Sequence, residues 1–135
     1  MEIKKFLDYL PTNFRHEKSF FIQHNRIDFE KLSNLSDSDL NEILRKSQLC
    51  TLNNLRKIKA IAIFRKEIEI SPPHAYLLLH CGIGSIKSLS QSTPYELERK
   101  IGRLERTLRV KTKTDTTFTL LKEWIKKASQ TYKSI

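Results

Sequence analysis

From Ser36 onward, nearly every apolar stripe in this chain of 135 residues is introduced by a residue that caps helices, which leaves little room for anything but a helical fold. Ser36-Asp37-Ser38-Asp39 combines a cap with acidic side chains in a first turn. It predicts a helix over 37–46 that buries Leu40, Ile43 and Leu44. Thr51 opens the next helix. Leu55, Ile58, Ile61, Ala62 and Phe64 repeat there at helical period, while Arg56, Lys57, Lys59, Arg65 and Lys66 stand off the stripe. Ser71-Pro72-Pro73 starts another helix, because Pro suits a first turn, and Gly82 stops it after Cys81. Ser85 caps a short helix through Leu89. Thr93-Pro94-Tyr95-Glu96 is a capping box with Pro at the first helical position. Its helix runs to about 110, with Leu97, Ile101, Leu104 and Leu108 on one face. Asp115 is expected to cap a last helix whose buried stripe holds Phe118, Leu121, Trp124, Ile125 and Ala128.

The first third of the chain is less sharply punctuated. Ile3, Phe6, Leu7 and Leu10 share one helical face before Pro11, and a second short helix spans Arg15 to Gln23. His24-Asn25-Arg26 interrupts the pattern, which resumes from Ile27 to Leu32. Ile68-Glu69-Ile70 alternates like a strand but is too short to found a sheet, so it reads as a hairpin turn ending at Ser71. Three Gly and four Pro are too few for a turn-rich β fold. The expectation is all-α: a compact helical bundle of about seven helices forming a single domain over 1–135.

The net charge is +10, and all of the excess lies in one part of the chain. Residues 1–52 carry eight basic and eight acidic side chains, whereas residues 53–135 carry seventeen basic and seven acidic. Such asymmetry points to a polyanionic partner. No apolar run is long enough to span a membrane, and the N-terminal stretch lacks the apolar core of a signal peptide, so a cytoplasmic protein without membrane contact is expected. Cys50 and Cys81 are then buried free thiols. His74 and His80 are six residues apart and point to different helix faces, so no metal site is expected. No P-loop, paired-carboxylate or nucleophile motif is present, so no enzymatic activity and no cofactor are expected.

The informative motif is Leu78-Leu79-His80-Cys81-Gly82-Ile83-Gly84-Ser85-Ile86-Lys87-Ser88-Leu89. It resembles a helix-hairpin-helix: an apolar helix end, Gly-hydrophobic-Gly, then a short helix with a small residue, here Ser88, four places after the second Gly. Glycine permits a positive φ and removes side chains that block close approach. Ile83 would plug the turn into the core. The amides around Gly84 would face outward at a helix N-terminus, and the Gly82–Ser85 amides would hold one phosphate there.

The likeness extends over most of the chain. From about residue 10 to 130 the order of elements is similar to that of an uncharacterised family of tandem helix-hairpin-helix proteins, a domain of unknown function common in cyanobacteria. Ile70-Ser71-Pro72-Pro73-His74-Ala75-Tyr76 takes the place of that family's first hairpin, without its glycines and with Glu69 beside it. Gly82-Ile83-Gly84 takes the place of the second, and Thr93-Pro94, Leu97 and Trp124-Ile125 match later landmarks. The resemblance implies a helical fold and a link to nucleic acid.

Beyond the hairpin, Lys87 and then Arg99, Lys100, Arg103, Arg106, Arg109, Lys111 and Lys113 supply cations against Glu96, Glu98 and Glu105. Arg99, Arg103 and Arg106 share a helix face, and Arg suits bidentate phosphate contact. Trp124 and Phe118 read as core, while Tyr76 and Tyr95 are candidates for stacking on bases. The expected function is non-catalytic, largely sequence-independent binding of a nucleic-acid backbone, DNA ahead of RNA. Gly82, Ile83, Gly84, Ser85 and this set of cations would form the site. The alternative is a protein-interaction module whose hairpins serve packing and whose basic face meets an acidic partner.

Overall fold

A computed structural model describes residues 12–24, 29–108 and 117–133. A short 3-10 turn, Thr12–Phe14, leads into α1 (Arg15–Gln23), followed by α2 (Phe29–Ser33), α3 (Asp37–Lys46), α4 (Leu52–Ile68), α5 (Pro72–His80), α6 (Ile86–Ser90), α7 (Pro94–Leu108) and α8 (Phe118–Lys133). The described residues include no strand, so the chain is all-α. The expected helix over residues 3–10 and the proposed cap Asp115 lie outside the described residues.

The helix starts follow the side-chain chemistry. Ser36 and Asp39 form a reciprocal capping box: the Asp39 amide donates to Ser36 Oγ at 3.1 Å, and the Ser36 amide donates to Asp39 Oδ2 at 2.9 Å. Hydrogen bonds from the Ser36 backbone, then from its hydroxyl, hold the Asp39 carboxyl below the usual carboxylate range. At α4 the Asn54 amide donates to Thr51 Oγ1 at 3.2 Å, and at α7 the Glu96 amide donates to Thr93 Oγ1 at 3.2 Å. The last helix is capped by Thr117, whose Oγ1 accepts from the Leu120 amide at 3.2 Å.

α4 is the central helix. It packs against α2, α3, α5 and α8, and buries Leu55, Ile58, Ile61, Ala62, Phe64 and Ile68. Apolar residues on more than one face suit a helix surrounded by others. Its N-terminus is tied to α1 by Glu17, which is fully buried. Glu17 accepts from the Thr51 amide at 2.9 Å and from Asn54 Nδ2 at 3.1 Å, so the buried carboxylate has its hydrogen bonds at a helix start, where negative charge is favoured. One cluster of buried residues runs from Phe14 through α4 to Leu121, Trp124 and Ala128 on α8. Short α6 is held in place by packing on α8, with Ile86 and Leu89 turned inward. Phe118, expected in the core, is instead half-buried and packs against exposed Tyr95 with ring centroids 4.8 Å apart.

Candidate nucleic-acid interface

The turn from α5 to α6 is built by a left-handed glycine and a buried isoleucine. Gly82 has φ +84°, a conformation that costs a side-chain-bearing residue about 1 kcal/mol or more. Its amide bonds to the Leu79 carbonyl at 3.0 Å, and the Ile83 amide bonds to the Leu78 carbonyl at 2.9 Å. These two bonds complete a Schellman motif at the end of α5. Ile83 is 3 % exposed, so its side chain plugs the turn into the core and offers a ligand nothing.

The expectation that the Gly82–Ser85 amides together hold a phosphate needs correcting. The amides of Gly82 and Ile83 close the preceding helix. The Ser85 amide donates to Ser88 Oγ at 3.2 Å, and the Ser88 amide donates to Ser85 Oγ at 3.1 Å. Ser88, standing where the motif usually has alanine, therefore consumes one of the proposed phosphate donors. Among the described residues, the amides of Gly84, Ile86 and Lys87 have no intramolecular acceptor. Gly84 and Lys87 are exposed.

Two cations of the distant helix α4 stand beside this turn. Arg56 and Lys59 of α4 line a cleft of about 240 Å³ together with Gly84, Ser85 and Ile86. They stand at i and i+3, on the face of α4 that continues through Ala60, Ile63 and Phe64. Neither forms an ion pair among the described residues, although Lys59 lies close enough to Asp39 to lower that carboxyl's pKa. Burial holds the His80 imidazole below its usual range, and Lys57 adds to the effect. Burial pushes the Cys81 thiol up, with Lys100 of α7 pulling the other way. The charges of Lys57 on α4 and Lys100 on α7 are thus felt at the last residues before Gly82.

The expected site residues fare unequally. Gly84, Ser85 and Lys87 are exposed at the turn, and Arg99, Lys100 and Arg103 are exposed on α7. Lys100 also pairs with Glu96 at 3.6 Å, on a surface where such a pair contributes little. Arg106 is in α7 with its side chain outside the described set, and Arg109, Lys111 and Lys113 lie outside the described residues altogether. Arg56 and Lys59 were absent from the expected site. The only signal for them in the sequence was their place off the α4 stripe. Tyr76, a stacking candidate, is spent on internal contacts: its ring meets Phe14 edge-on at 5.8 Å and His80 at 4.4 Å. Tyr95 is 75 % exposed. Cys50 is buried and Cys81 half-buried, both as free thiols. Among the described residues no three metal-ligating side chains converge, and no helix is long and apolar enough to cross a membrane.

Residues 14–131 match the family described as a domain of unknown function (DUF4332), and the chain belongs to that family. No curated protein and no solved structure matches it.

Proposed function

We propose that this chain binds the sugar-phosphate backbone of nucleic acid, DNA ahead of RNA, without reading base sequence and without catalysing a reaction. In this reading the α4–α5 and α5–α6 hairpins are tandem helix-hairpin-helix units, and the second of them is the contact. The observation that carries the proposal is the convergence of Arg56 and Lys59 from α4 on the bare turn at Gly84 and Ser85. The charges of Lys57 and Lys100 also act on the residues just before that turn. A phosphate there would meet the amide of Gly84 and at least two cations, an arrangement that neutralises charge and leaves base edges untouched. The exposed cations Arg99 and Lys87 extend the positive field along the neighbouring surface. A cytoplasmic location fits the same reading.

The test is a mobility-shift or anisotropy titration over a salt series. With about four phosphate contacts, raising monovalent salt from about 50 to 200 mM weakens binding roughly 10²-fold. Replacing Arg56 and Lys59 together by Ala lowers the slope of log affinity against log salt by about 2. An affinity that ignores salt sinks the proposal. Absence of binding to any nucleic acid at low salt does the same, and transfers the basic face to an acidic protein partner.

A further inference from the structure

We infer that the cleft between α4 and the Gly84 turn holds one unpaired nucleotide, so that the chain prefers single-stranded nucleic acid, or single-stranded ends, to an intact duplex. The inference rests on the backbone-binding proposal and adds the form of the ligand. It starts from a feature that phosphate binding does not use. Besides Arg56, Lys59, Gly84 and Ser85, the cleft is lined by the apolar side chains of Ala60, Ile63, Phe64 and Ile86. A phosphate gains nothing from such a lining. A nucleobase gains by burying its faces there while its own phosphate stays with the two cations. The size agrees: about 240 Å³ is below the roughly 300–1,000 Å³ of pockets for drug-sized ligands, so the cleft admits one ring system and not a base pair.

A duplex cannot use this recess. Its bases are stacked inward and its phosphates run along the outer ridge, so the apolar lining would stay uncovered unless a base left the stack, at a cost in unstacking. A single strand presents its bases without that cost. Arg56 adds a further contact, because a guanidinium plane stacks on a base that enters beside it. The apolar lining residues carry no hydrogen-bonding group and the Ser85 hydroxyl is engaged with Ser88, so the preference is for strandedness and not for sequence.

The test uses the full chain and three fluorescently labelled probes of equal length at one low salt concentration: an oligothymidylate single strand, a duplex, and a single strand carrying abasic sites. The single strand is expected to bind about tenfold more tightly than the duplex, and the abasic strand to fall to the duplex level. Ala60→Leu, which fills the cleft without changing charge on a position compatible with helix, is expected to cost the single strand about tenfold and the duplex less than about twofold. Equal binding of all three probes overturns the inference while leaving the backbone proposal standing. Binding to none of them overturns both. The abasic probe requires no variant, so the inference stays falsifiable even if Ala60→Leu destabilises α4.

Discussion

The turn between α4 and α5 and the turn between α5 and α6 meet the same geometric demand with different residues. Each places one residue in the left-handed region, Glu69 at φ 57° and Gly82 at φ 84°. Each follows it with a buried isoleucine, Ile70 at 1 % and Ile83 at 3 % exposure, and each ends on a serine at the N-cap position of the next helix, where Ser85 accepts a capping hydrogen bond and Ser71 instead bonds to His74. They differ in one inserted glycine and in their surroundings. Around the first turn the carboxylates of Glu67 and Glu69 are exposed, while Lys66 pairs with Glu30 at 3.7 Å and Lys127 with Glu123 at 3.6 Å. Around the second, Arg56 and Lys59 make no ion pair among the described residues. The first turn therefore teaches what a helical hairpin needs in order to fold: a residue that tolerates φ above zero and an apolar plug. Gly84 is not on that list. Its φ is ordinary, and a Cβ there would meet only Leu79 Cδ2 at 3.8 Å, an ordinary contact. What Gly84 provides is a stretch of backbone left bare beside two cations.

The comparison first demands that both plugs matter equally. Ile70→Ala and Ile83→Ala each remove a buried side chain from one continuous core, and each should cost about 2–4 kcal/mol in urea unfolding. Losses of similar size support a shared design. A cost under about 1 kcal/mol for either would show that turn to be held by something other than its isoleucine.

The second demand is that the turns differ in binding. Gly84→Asp sets a carboxylate at the bare stretch and should weaken an oligonucleotide at least about tenfold. Because a Cβ fits there, stability should move by less than about 1 kcal/mol. Ser71→Asp adds the same charge to the other turn and keeps a residue suited to helix capping, so affinity should change less than about twofold. Anisotropy titrations read the first quantity and denaturant melts the second. Equal weakening by both variants would mean that only net charge matters, and would remove the assignment of the site to the second turn.

Local chemistry made most of the fold legible, because a helix start depends on residues three or four apart. Ser36, Thr51, Ser85 and Thr93 all cap where the sequence places them, and Pro72 opens α5. The end of α4 was harder. Ile68-Glu69-Ile70 reads as a turn, yet Ile68 is the last helical residue, and a glutamate takes the left-handed position where glycine would be looked for. Nothing local announces that strain, since tertiary packing of Ile70 enforces it. The candidate site was half legible for a similar reason. Gly82-Ile83-Gly84 is contiguous, but Arg56 and Lys59 lie 23 or more positions away and meet its end only in the folded chain, across the cleft. Short-range pattern also missed the competition at Ser85: a serine at Ser88 is small enough for the motif, and its hydroxyl takes the amide that alanine would leave open.

The smallest and most discriminating effect concerns the two left-handed residues themselves. Gly82→Ala puts a Cβ into a φ of +84° where nothing lies within 4 Å of it, so the cost is backbone strain without a clash, about 1 kcal/mol. Glu69→Gly runs the other way. It relieves the strain at φ 57°, loses no buried contact because Glu69 is exposed, and gives back part of the gain through the greater freedom of glycine in the unfolded chain. The net gain should be about 0.5 kcal/mol, read as a shift in the urea midpoint at constant slope. Neither variant alters Gly84, Arg56 or Lys59, so oligonucleotide affinity measured at a temperature where both are folded should stay within about twofold. A Gly82→Ala protein that loses no stability would show that the Schellman bonds, and not the glycine, stop α5. A Glu69→Gly protein that binds more tightly would show the first turn to be a second contact held back only by its carboxylate, which would erase the functional distinction between the two turns.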